Sequence, residues 1–202
     1  MEPIWQNITT ALEIPPEVAD KWLAKLKQQY AQPNRHYHNE KQMLRRKVEH
    51  LSGASVCLQL AVLFQYYDFD AGKDCVKENC TALKEFLAEA GIENKALENN
   101  VLRLLGDVSV ESSELPDDDV SYFQDLDLLI LGYPTDDYKV YTELLRKEYA
   151  TMEASSYNKM RLKILQTFNR IPFIYATTEF GEKFEKTARD NIGTEIKELE
   201  NQ

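Results

Sequence analysis

Ala61-Val62-Leu63-Phe64-Gln65-Tyr66-Tyr67-Asp68-Phe69-Asp70 opens as the end of an apolar run and closes as a polar, aromatic, acidic cluster. The run reaches back through Leu60 and Leu58 to Val56, and Ser55 stands where a helix N-cap is expected. No other segment of the chain is so continuously apolar. A helix that is apolar all round is buried, so this one is expected at the centre of the molecule.

Outward from it, spacing of three and four residues marks further helices. Pro15-Pro16-Glu17 reads as a helix start, and Val18, Trp22, Leu23, Leu26 and Tyr30 follow on one face. A helix is expected over 37–51 with Met43, Leu44, Val48 and Leu51 inward, and others over 75–90 and 95–105. The segment 109–119 reads as a solvated acidic loop containing Glu111, Glu114 and Asp117 to Asp119, the last three placed to cap a helix over 120–131. Helices over 136–151, 157–170 and 179–200 complete the chain, the last with Phe180, Phe184, Ala188, Ile192, Ile196 and Leu199 in one stripe. Seven glycines and seven prolines in 202 residues fit long helices joined by short turns. The expected fold class is all-α, a single bundle of about nine or ten helices over 1–202, with 17–150 as core and 151–202 packed on it.

A net charge of −10 at pH 7 argues against a nucleic-acid or anionic-membrane surface. The N-terminal residues lack the basic and apolar parts of a signal peptide. Cys57, Cys75 and Cys80 are an odd number without zinc spacing to histidine, which points to reduced thiols in the cytoplasm. There is no nucleophile elbow, phosphate-binding glycine loop or dinucleotide fingerprint.

Three constellations carry chemistry. Arg35-His36-Tyr37-His38-Asn39 offers a metal ligand and a phosphate contact, although histidines two apart diverge on a helix, and the plainer reading is a polar helix entry. Asp125 and Asp127 diverge likewise, one facing inward either as a ligand or as the partner of an arginine. Arg146 and Arg161, near Tyr149 and Tyr157, make solvated ion pairs or, if they converge on a cavity, bind phosphate. Arg45-Arg46-Lys47 reads as a solvated helix face.

Taken in order, these segments resemble the HD superfamily of predicted metal-dependent phosphohydrolases, in its branch of uncharacterised HD-domain proteins. The matching residues are Arg35 to Asn39, Phe64 to Asp70, Glu78 with Thr81-Ala82, and Phe123 to Gly132. Tyr138 with Tyr141, Leu145 to Tyr149, and Ala188 to Ile192 follow, so the resemblance runs from about Trp22 to Leu199. It implies a divalent metal, such as Mn or Mg, that activates water against a phosphoryl group. His38 keeps its expected place. Gln42 stands where a second histidine is expected, Gln65-Tyr66 replace the His-Asp doublet, and no histidine occurs between Leu102 and Val120. Asp127 remains at the distal acidic position. Glutamine and tyrosine are poor ligands at neutral pH, so the resemblance implies a scaffold whose metal site is lost, with no cofactor.

The leading expectation is a non-catalytic HD-fold binding or interaction module. Its old pocket either holds phosphate or a nucleotide through Arg35, His38, Arg146 and Arg161, or is filled by Tyr66 and Tyr67. The alternative is an active phosphohydrolase on nucleotides or small phosphoesters, with a rearranged metal site of His38, Asp68, Asp70 and Asp127. A third reading is a subunit of a helical assembly with Trp5 and Trp22 at an interface.

Overall fold

The computed structural model describes residues 1–110 and 113–201; Glu111 of the acidic loop lies outside the described residues. The described residues form ten α-helices: α1 Glu2–Ala11, α2 Pro16–Tyr30, α3 Arg45–Val48, α4 Val56–Phe64, α5 Val76–Glu89, α6 Lys95–Leu105, α7 Asp117–Leu128, α8 Thr135–Glu148, α9 Ala154–Arg170 and α10 Thr178–Glu200. A π-helical turn Glu40–Leu44 precedes α3, and a 3-10 turn Leu129–Gly132 follows α7. The all-α expectation holds. By its internal contacts the chain divides into Met1–Phe123 and Gln124–Gln202, the division falling within α7.

In the first unit α4 is the hub. Leu58 to Phe64 are all buried, and α1, α5 and α6 pack on the helix. Phe64, Trp22 and Phe86 form a ring cluster with centroids 5.5–6.0 Å apart, and Trp5 joins it through Phe86 at 5.3 Å. Both tryptophans also place their indole N–H. Trp5 donates to the carbonyl of Ala19 at 3.1 Å, and Trp22 donates to Glu89 at 2.9 Å. Trp5 and Trp22 are core residues, buried to 3% and 0% exposure, so neither is an interface marker.

The expected helix over 37–51 is shortened to 40–48, opening as the π-helical turn and continuing as α3. Asn39 accepts from the Gln42 amide at 2.9 Å, while its own side-chain amide donates to the Arg35 and His36 carbonyls. That local bonding holds residues before Glu40 out of the helix. Lys47, expected on a solvated face, is buried.

In the second unit α10 packs on α9, α8 and the 129–132 turn, and the expected stripe from Phe180 to Ile196 is buried. Gly132 is required by close approach: a Cβ there would collide with Phe184 and the Tyr175 hydroxyl. Asn191 ties the same turn, its amide donating to the Leu131 and Tyr133 carbonyls at 2.9 Å each.

Candidate functional site

The α4 C-terminus is closed by side chains from elsewhere in the first unit. A helix end leaves carbonyls without intrahelical donors, and here distant residues supply them. The Tyr30 hydroxyl donates to the Leu63 carbonyl at 3.1 Å, Asn79 donates to the Gln65 carbonyl at 2.7 Å, and Arg35 donates to the carbonyls of Tyr66 and Tyr67, the latter at 2.7 Å. Arg35 is 3% exposed, and its cation complements the negative end of the helix. Burial pushes the Tyr30 hydroxyl pKa up, so it stays a neutral donor.

Gln65 and Tyr66 sit at this corner as half-buried residues. The Gln65 amide oxygen accepts from the Lys47 ammonium at 2.8 Å, and the same ammonium lies 4.9 Å from the centre of the Tyr66 ring. His38 is packed among rings, 4.2 Å from Phe69 in a stacked pair, 4.8 Å from Tyr66 and 5.1 Å from Tyr37. Gln42 is half-buried, and its amide N–H is the one Asn39 accepts. Asp68 and Asp70 turn to local backbone: Asp68 accepts from the Phe69 amide at 3.0 Å and Asp70 from the Gly72 amide at 2.8 Å. The fold therefore gathers His38, Lys47, Gln65 and Tyr66, and gives Asp68 and Asp70 to the following loop.

The remaining expected residues belong to the second unit. Asp125 is the inward aspartate, 1% exposed, and Asp127 is exposed. Asp125 is not paired with an arginine. It accepts from the Ala176 amide at 2.8 Å, the Thr177 amide at 2.9 Å and the Thr177 hydroxyl at 2.6 Å. Arg146 donates to the Tyr149 and Met152 carbonyls at 2.6 and 3.1 Å, closing the end of α8.

Arg161 is buried at 4% exposure and forms a two-point pair with Glu195 at 2.8 and 3.0 Å. It also donates to the Tyr141 and Tyr138 hydroxyls at 3.2 and 3.3 Å, and Tyr138 donates to Glu195. Burial works against the Arg161 charge, but Tyr141 and Glu195 more than offset it and hold its pKa raised. Burial likewise raises Tyr138, and pushes Tyr157 up to about 12 despite the nearby Arg161 charge. The expected phosphate-binding arginines are thus engaged by carbonyls (Arg35, Arg146) or by a carboxylate (Arg161), neither of which is a vacant anion site.

Among the described residues no group of three His, Cys, Asp or Glu side chains is placed to hold a metal ion. The three cysteines carry no disulfide, and burial pushes Cys80 up to about 11. No helix among the described residues is long and apolar enough to cross a membrane.

Two important residues escaped the sequence reading. Lys47 follows Met43 and precedes Leu51 at spacing of four, which already placed it on the apolar face despite its basic neighbours. Glu195 lies on the inward stripe of α10 between Asn191 and Ile196, where a carboxylate needs a cation. No protein-family model matches this chain, and neither the curated proteins nor the solved structures contain a match to it.

Proposed function

We propose that this chain is a non-catalytic binding or interaction module built on an HD-like helical scaffold, working in the cytoplasm with reduced thiols. One observation carries the reading: the Lys47 ammonium bonds Gln65, the position at which the resemblance calls for a metal-binding histidine, and lies over the Tyr66 ring. A cation is present at that corner, but it is the protein's own. An ammonium fixed at 2.8 Å from Gln65 repels a divalent ion and supplies no water for attack. The surrounding side chains support the same reading, because Arg35, Asn79, Asp68 and Asp70 are all engaged with backbone groups.

Elemental analysis of chain purified without chelator tests this, together with a panel of nucleotides and small phosphoesters. The expected result is no stoichiometric Mn, Fe, Zn or Mg and no hydrolysis. Stoichiometric metal, or hydrolysis that His38→Ala or Asp127→Ala abolishes, would overturn the proposal in favour of a rearranged phosphohydrolase site.

A further inference from the structure

The loop 171–177 in the second unit holds an aromatic ring in the open. Phe173 is 75% exposed, and Ile171 beside it is 36% exposed. Exposed phenylalanine is usually a mobile tip, yet the backbone on both sides of this one is fastened. Arg189 donates to the Ile171 and Pro172 carbonyls at 2.8 and 3.2 Å. Glu185 accepts from the Ile174 and Tyr175 amides at 2.9 and 3.3 Å, and the Tyr175 hydroxyl reaches the Leu128 carbonyl at 3.0 Å. Asp125 holds the Ala176 and Thr177 amides. The backbone that carries this exposed ring is thus held on both sides, so less loop ordering remains to be paid on binding.

Beside Phe173 lies a groove of about 730 Å³, floored by Tyr175 and Ala176 and walled by Thr178, Gly181, Glu182 and Glu185 of α10. The four α10 residues follow the spacing of one helical face. Gly181 deepens that wall, because a Cβ at this position meets nothing within 4 Å. The charged residues of the lining are both carboxylates. Glu185 serves the loop, while Glu182 is exposed at the rim. The chain as a whole carries a charge of −10.

We infer that this groove docks a segment of a partner protein that presents an aromatic or aliphatic side chain flanked by lysine or arginine. Phe173 and the groove floor receive the apolar side chain, and Glu182 receives the basic flank. Complementary charge speeds encounter and selects the partner. A second copy of this chain brings the same rim glutamate and the same net charge, so the complementarity favours a basic partner over self-association. The inference specifies the partner of the interaction-module reading and rests on it.

Selection of a random peptide library on the full-length chain tests the inference, with Gly181→Leu, Phe173→Ser and Glu182→Lys as comparison baits. Each variant is checked for an unchanged circular-dichroism spectrum. Wild type should enrich peptides with an apolar residue flanked by Lys or Arg. Gly181→Leu, which fills the groove without straining the helix, and Phe173→Ser should each weaken their binding about tenfold or more, while Glu182→Lys should shift enrichment toward acidic flanks. No enrichment on wild type, enrichment without basic flanks, or equal binding by Gly181→Leu would overturn the inference. So would a concentration-dependent dimer in sedimentation that Phe173→Ser abolishes, because the occupant would then be a second copy. The parent reading fails separately: a chain that hydrolyses phosphoesters yet enriches these peptides loses the non-catalytic reading and keeps the groove.

Discussion

The first unit uses its buried arginine to finish a helix, and the second uses its own to neutralise a carboxylate. Arg35 donates to neutral acceptors, the carbonyls at the end of α4, where the helix dipole and the Tyr30 and Phe69 rings at 5.4 and 5.8 Å favour its charge. Arg161 meets Glu195 face to face with two tyrosine hydroxyls alongside, and the side chains of the pair are 5% and 12% exposed. The difference teaches how each site should respond to loss. Carbonyls at the half-buried Tyr66 and Tyr67 can turn to water when Arg35 is gone. Loss of Arg161 instead strips a full opposite charge from a carboxylate whose side chain is only 12% exposed.

Arg161→Met should therefore be the most damaging of these changes, lowering stability by about 3–5 kcal/mol, as for one partner removed from a buried pair. Urea unfolding followed by circular dichroism measures it. A loss below that of the corresponding change in the first unit would break the comparison. Arg35→Met should lower stability by about 1–3 kcal/mol, the range for stranded polar groups that water partly reaches. Trp5 and Trp22 both lie in the first unit, so tryptophan fluorescence reports this transition directly. If Arg161→Met moves the fluorescence transition as far as the circular-dichroism one, the two units unfold together.

The smallest effect belongs to an exposed group. Glu153 caps α9, and its bonds to Ser155 and Ser156 lower its pKa from 4.5 to about 2. A carboxylate lowered in the folded state stabilises above its unfolded pKa, and that contribution is lost as pH falls from about 4.5 toward 2. Its full exposure keeps the effect slight through solvent screening. Glu153→Gln should lower stability slightly at pH 7, where the contribution is fully present, and leave it unchanged near pH 2, so the acid limb of the stability profile flattens a little. A large change at pH 7 would show that the cap matters far more than its exposure implies.

Gly181 offers a check of another kind. Gly181→Ala removes glycine from a helix interior into open space, so stability should rise by up to about 1 kcal/mol in a thermal melt. A fall would mean that the α10 face at the groove is already covered.

Much of the resemblance consists of residues that hold the fold together. Tyr138 and Tyr141 enclose Arg161, Arg146 closes α8, Arg189 closes α9, and Asn191 ties the 129–132 turn. Polar residues recurring in order along the chain were therefore legible as positions, while the readings that made ligands of them were not. Spacing on one helix shows which face a side chain takes, but not whether the group it meets is a carbonyl, a carboxylate or open water.

By itself the sequence determined the all-α class, the buried course of α4, and the inward stripe of α10. Each of these depends on apolar residues repeating at the helical period, a local property that survives without knowledge of neighbours. Tertiary structure alone decided the rest: that Lys47 turns inward to Gln65, that Asp125 rather than Asp127 is buried, that Arg161 answers Glu195, and that Phe173 is held in the open. These are pairings between residues 18 to 52 positions apart, or exposures set by them, and they depend on which helix ends and loops the packing brings together. A buried polar group must find a partner, and only the folded chain determines which one it finds.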